Sequence, residues 1–83
     1  METKLLDFRK RQTLFYTAFR YSKKQIAEMQ AVSPSTVDKD LRIVYKTLNV
    51  DCLVMAVLVA LATDEISLYD VRVFYNSMRH LNN

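Results

Sequence analysis

Apolar positions recur along most of this chain with the period of an α-helix, and no stretch shows the strict alternation of a half-buried strand. The clearest stretch runs from Ser33 to Leu48. Val37, Leu41, Val44 and Leu48 fall at i, i+4, i+7 and i+11 and form one stripe that must pack against something. Ser33 can cap the first turn, and Pro34 suits the first helical position, where its missing N–H is no loss. Opposite the stripe lie Ser35, Lys39, Arg42 and Lys46. Apolar anchoring inward with hydroxyl and cationic donors outward is what a helix in a DNA major groove needs, although a solvated amphipathic helix carries the same pattern.

Other helices are expected on both sides. One is predicted from Phe8 to Phe19, with Asp7 as N-cap, Leu14 and Ala18 facing inward, and Phe15 and Phe19 one turn apart beside them. That is more aromatic surface than one side of a small domain buries, so a partner element is expected there. Ser22 with Gln25 forms a capping-box pattern, and Tyr21 with Ile26 a hydrophobic staple, opening a short helix that ends near Gln30. Only two or three residues then precede Pro34, so the two helices must meet at a steep angle, as a helix-turn-helix.

A fourth helix is predicted from Asp51, as N-cap, to about Ala62. It is apolar on all sides and must be covered all round, with Leu53, Val54, Val57 and Leu61 the positions expected to need a second surface. Ser67 with Asp70, and Ile66 with Val71, mark the start of a fifth helix with a stripe of Leu68, Val71, Phe74, Tyr75, Met78 and Leu81. This tail could cover Phe15 and Phe19, cover the free side of the fourth helix, or exchange with a second copy.

Eighty-three residues make one modest domain, and half of them are hydrophobic with a single proline, which argues against disorder. Glycine is absent, which argues against primed hairpin turns and for an all-α fold. Residues 1–50 carry ten Lys and Arg against five Asp and Glu, whereas residues 51–83 carry two against four. A basic half joined to an apolar, mildly acidic half suits a polyanion-binding unit with an assembly unit attached. Lys23 and Lys24 fall on the first turn of the second helix, where free backbone N–H groups already favour phosphate. The Arg9, Lys10, Arg11 cluster opposes the helix macrodipole, and an external anion is one reason it could exist.

Catalytic chemistry finds no support. Cys52 is the only cysteine and His80 the only histidine, so neither a disulfide nor a metal site is expected, and no cofactor. No glycine loop can cradle a phosphate, and Asp38 and Asp40, two apart on a helix, cannot act as a carboxylate pair. Met29, Met55 and Met78 read as core filler. The N-terminus lacks the apolar run of a signal peptide, and the Cys52–Ala62 run is far shorter than the roughly twenty residues that span a bilayer. A cytoplasmic protein that is not an enzyme is the expectation.

From Leu6 to about Leu61 the chain resembles the LuxR-type (GerE-like) DNA-binding domain without a gap. The matching residues are Leu6, Arg9, Arg11, Leu14 and Ala18, then S-K-K-Q-I-A (Ser22 to Ala27), V-S-P-S-T-V (Val32 to Val37), Lys39, Leu41, L-N-V (Leu48 to Val50) and A-V-L-V-A-L (Ala56 to Leu61). Sigma-factor region 4 has the same helical layout, and the A-V-L-V-A-L stretch favours the LuxR type. The resemblance implies four helices, the third reading DNA and the fourth forming a dimer, in bacterial transcription control. The chain departs from the family at Arg20 and Asn49, where glycine is usual, at Gln30, where leucine is usual, and at Leu53, where arginine is usual. At Asp38 lysine is typical, and at Asp40 histidine or another uncharged or basic residue.

The expected architecture is therefore a four-helix LuxR/GerE-type helix-turn-helix domain over residues 1–63, with an extra C-terminal helix in 64–83 packed on the same domain or at a dimer interface. The expected function is a transcriptional regulator that binds the major groove of double-stranded DNA as a homodimer. Lys39 and Arg42 are the candidates for base edges or nearby phosphates, Asp38 for a cytosine amino group, and Ser22, Lys23, Lys24, Ser35, Thr36 and Lys46 for the backbone. The rival is a protein-interaction module, an anti-activator or co-regulator, whose DNA binding Asp38 and Asp40 have weakened. Its partner would be another regulator, and RNA polymerase is a further partner class under either reading.

Overall fold

The computed structural model describes the backbone of residues 5–81 and the side chains of residues 5–79. Glu2, Lys4 and the side chains of His80 and Leu81 lie outside the described residues. Five helices follow one another: α1 Phe8–Ala18, α2 Lys23–Gln30, α3 Pro34–Leu48, α4 Leu53–Ala62 and α5 Leu68–Leu81. The described residues contain no strand.

The helix starts are set by side chains that accept the free amides of the first turn. Asp7 accepts from the Lys10 N–H at 2.9 Å, Ser33 from Thr36 at 3.2 Å and Ser67 from Asp70 at 3.0 Å. Ser22 and Gln25 form the reciprocal capping box expected for α2. The start of α4 differs from expectation. Cys52, not Asp51, is its N-cap, in extended conformation at φ −148°, and no side chain caps the helix.

Without glycine, the chain closes its helices on other residues in the left-handed region: Arg20 at φ 73°, Ala31 at 56°, Asn49 at 58° and Asp64 at 62°. Asn49 and Arg20 stand where the resemblance places glycine. At Ala31 and Arg20 the Cβ opposes a left-handed φ, without the short polar side chain by which Asn49 and Asp64 tolerate it.

Two clusters make the core. Leu6, Leu14, Val44, Leu48, Ala56, Ala60 and Ile66 join α1, α3 and α4, while Ile26, Ala27 and Val37 close the α2–α3 corner. Full burial of residues such as Leu14, Ile26, Val37 and Val44 contributes roughly 1.5–3 kcal/mol each. Gln30, in place of a core leucine, is matched by a buried partner on α1: its amide donates to Thr13 Oγ1 at 3.0 Å, and that hydroxyl donates to the Arg9 carbonyl at 2.9 Å. The departure at Gln30 is therefore satisfied within the fold.

Of the three places open to the tail, α5 takes the first. Phe74 sits among four rings, with centroids 4.7 Å from Phe19, 5.2 Å from Phe15, 5.9 Å from Tyr16 and 6.0 Å from Tyr21. Val71 and Ile66 fasten its N-terminal end to the core. The segment before α1 is tied to the same region by buried Glu65, which accepts the N–H groups of Leu5 at 2.8 Å and Leu6 at 3.1 Å.

The Arg9, Lys10, Arg11 cluster has internal partners, which corrects the suggestion of an external anion. Arg9 binds Asp40, Lys10 binds Asp7 at 3.0 Å, and Arg11 donates to the Leu6 carbonyl. Two methionines are also misread as core: Met29 and Met55 are exposed, and Met78 is half-buried.

Candidate nucleic-acid interface

The corner between α2 and α3 is closed by the left-handed Ala31 and by the Val32 N–H, which reaches the Ala27 carbonyl at 3.0 Å. On α3, Val37, Leu41, Val44 and Leu48 are buried, as the periodicity requires. That fixes the opposite face, and Ser35, Lys39, Arg42 and Lys46 are all exposed on it. Ile43, one turn after Lys39, is exposed too and adds an apolar contact to the same surface. Ile43 lies beside the cationic stripe and not on it, so helical periodicity alone does not mark it as part of this surface.

The two aspartates of α3 have different fates. Asp40 is turned inward, its side chain 3% exposed, and Arg9 grips it with Nε to Oδ2 at 2.8 Å and Nη2 to Oδ1 at 3.2 Å. Lys10 stands 4.0 Å from the same carboxylate. Asp40 joins α3 to α1 and is absent from the outer surface, which corrects its reading as an acid that weakens DNA binding there. Asp38 stays at the surface, and its two oxygens take different cations: Oδ1 pairs with Lys23 of α2, and Oδ2 with Arg42 at 2.8 Å, one turn on at i, i+4. The hydrogen bond from the Lys23 ammonium, with its charge and that of Arg42, holds the Asp38 carboxyl below its ordinary value.

The Lys23–Asp38 contact brings the N-terminal turn of α2 beside the outer flank of α3. Lys23 and Lys24 thus sit at a helix start next to the face that carries Lys39 and Lys46. Lys24, Lys39 and Lys46 are exposed and enter no ion pair among the described residues. The hydroxyls are less free: Ser33 Oγ lies 3.0 Å from both Ser35 Oγ and Thr36 Oγ1, and Ser22 Oγ accepts the Gln25 N–H at 3.1 Å. Each keeps bonding capacity toward a ligand, because a hydroxyl combines one donor with two acceptor lone pairs.

On α4, Ala56 and Ala60 are buried, and Leu53, Val57 and Leu61 are half-buried against the core. The uncovered side is carried by Val54, 67% exposed, Leu58, 54% exposed, and Met55. Of the four positions expected to need cover, Val54 alone is on this side. With no polar residue between Leu53 and Ala62, nothing in the helix itself marks which face turns outward. No single helix among the described residues is long and apolar enough to cross a membrane, and no group of His, Cys, Asp and Glu there could hold a metal ion.

No protein-family model matches the chain, and no curated protein does. Its fold does match a solved structure, described as that of the transcription factor GerE, with a TM-score of 0.73 and 29% sequence identity. The match covers 80% of this chain and 98% of the GerE chain. The five helices, the α2–α3 corner and this likeness together give the chain an all-helical helix-turn-helix fold similar to that of GerE.

Proposed function

We propose that the chain is a transcriptional regulator that binds double-stranded DNA, with α3 in the major groove. The observation that carries this reading is the outer face of α3, where Lys39 and Lys46 stand exposed, with no ion pair among the described residues, opposite a buried apolar stripe. Lys39 and Arg42 lie where base edges or adjacent phosphates come within reach, with Ile43 beside them for a thymine methyl. Lys23, Lys24, Lys46 and the hydroxyls of Ser22, Ser35 and Thr36 fit the backbone, with the α2 N-terminus adding its free amides. Residues 1–63 form the DNA-binding unit and 64–83 an extension, whose α5 is seated on the Phe15 and Phe19 rings. Two copies join through Val54, Met55 and Leu58 of α4, and the protein works in the cytoplasm, where its DNA is. The likeness to a structure described as a transcription factor supports the regulatory role.

A second reading has one observation in its favour. Asp38 occupies both Lys23 and Arg42, which lowers the positive charge free for phosphate. A helix-turn-helix weakened in this way would serve as an interaction module, pairing with another regulator or with RNA polymerase. Selection of bound sites from random duplex DNA, with sedimentation on the same sample, separates the two. The DNA-binding reading expects an enriched site of two symmetric half-sites about one or two helical turns apart, bound by a dimer. No enrichment even at low salt would leave the interaction module.

A further inference from the structure

Asp38 is the acid of α3 that remains at the surface, and its environment suggests a use for it. Its two carboxylate oxygens each hold one cation, Lys23 from α2 and Arg42 from α3, whose side chains remain 54% and 71% exposed. Exposed ion pairs of this kind are weak, so both cations can be taken up by a competing anion. An ionised carboxylate offers about four acceptor sites, so each oxygen also keeps capacity for a second donor. The row Lys23, Asp38, Arg42 therefore presents donor, acceptor, donor along one edge of the recognition face.

In the major groove the donors among base edges are the amino groups of cytosine and adenine. Adenine sets its acceptor N7 beside that amino group and so repels a carboxylate. Cytosine sets no acceptor beside its own, and the guanine paired with it presents O6 and N7 to a neighbouring cation. A C·G pair thus matches an acid flanked by cations. We infer that Asp38 is the specificity-determining residue of this face, accepting a hydrogen bond from a cytosine amino group while Arg42 or Lys23 takes the guanine of the same or the adjacent pair. The inference rests on the DNA-binding reading. Away from its site, the negative charge of the same acid offsets part of the attraction of the two cations for phosphate and so lowers binding to arbitrary sequence.

The test compares the parent with Asp38→Ala and Asp38→Asn in selection from random duplex DNA and in titrations of a fixed random-sequence duplex at several salt concentrations. Asp38 is a surface residue, and matching thermal denaturation of the three proteins checks that the variants fold. The parent should prefer cytosine at one position of each half-site, by on the order of tenfold. Asp38→Ala should lose that preference and hold the others, while steepening the salt slope on random DNA by about 0.9 for each cation released. Asp38→Asn should move the preference to adenine, whose N6 and N7 an amide pairs with, a change that mere removal of charge would not cause. If parent and Asp38→Ala select the same sequence with the same slope, the inference fails and the DNA-binding reading stands. If none of the three binds DNA at low salt, both fail. Binding by Asp38→Ala where the parent shows none would make Asp38 a blocker and overturn the inference.

Discussion

Arg9, in the first turn of α1, grips Asp40, in the middle of α3, through two hydrogen bonds at 2.8 and 3.2 Å. The carboxylate is buried and the guanidinium is partly exposed, so the pair fastens the recognition helix to the body of the domain from its inner side. Arg9→Ala should destabilise the fold by about 1.5–3 kcal/mol, the cost of stranding a buried charged acceptor, measured by urea denaturation. Asp40→Asn should lower stability without raising DNA affinity. A gain in affinity would return Asp40 to the binding surface.

The two sides of α4 predict different losses. Val57 and Leu61 are half-buried against the core and Leu58 is not, so Leu58→Glu should give a folded monomer in sedimentation, whereas Val57→Glu should lower the unfolding midpoint first. A Leu58→Glu protein that still sediments as a dimer would put the interface elsewhere.

Phe74 holds α5 on α1 among four rings. Phe74→Ala should cost about 3 kcal/mol and open α5 to limited proteolysis, because Phe15 and Phe19 lose their cover. Ending the chain at Thr63 should expose the same rings and lower solubility. Proteolysis of Phe74→Ala at the parent's rate would mean that Val71 and Ile66 suffice to hold the helix.

The Lys10 backbone N–H, followed by the Lys10 side chain, holds the Asp7 carboxyl below its usual value. A carboxyl lowered by folding stabilises above its unfolded pKa and loses that stabilisation as pH falls through the folded value. Asp7→Ala should therefore cost about 0.5–1 kcal/mol near neutrality, as for an exposed cap, and the gap from the parent should close in acid. Denaturation curves at pH 7 and pH 2 check this. An equal gap at both would assign the effect to something other than the ionised cap.

Much of the fold was legible because its signals are local. Ser22 with Gln25 and Ser33 with Pro34 fix where α2 and α3 begin, and Asn49 marks where α3 ends, through bonds spanning only a few residues. The outer face of α3 was legible for the same reason, since its apolar stripe fixes its opposite. What escaped depends on neighbours. Asp40 reads as a surface acid until Arg9 is beside it, and the uniform apolarity of α4 hides its outer face. The landing of α5 stayed one of three, because an apolar stripe shows that it must be covered but not by which surface. At the start of α4, Asp51 looks like a cap by residue type, but Cys52 takes the position.

Whether the outer face of α3 binds DNA is decided by the salt dependence of binding to duplex DNA for the parent, Lys39→Ala and Lys46→Ala. Lys46→Ala, lacking a phosphate contact, should weaken binding to all sequences alike and flatten the slope of log K against log salt by about 0.9. Lys39→Ala should instead cost about 1–3 kcal/mol at a selected site if it reads a base edge, or flatten the slope as Lys46→Ala does if it meets phosphate. Slopes and affinities for both variants equal to those of the parent, or no binding by the parent at low salt, would contradict the account.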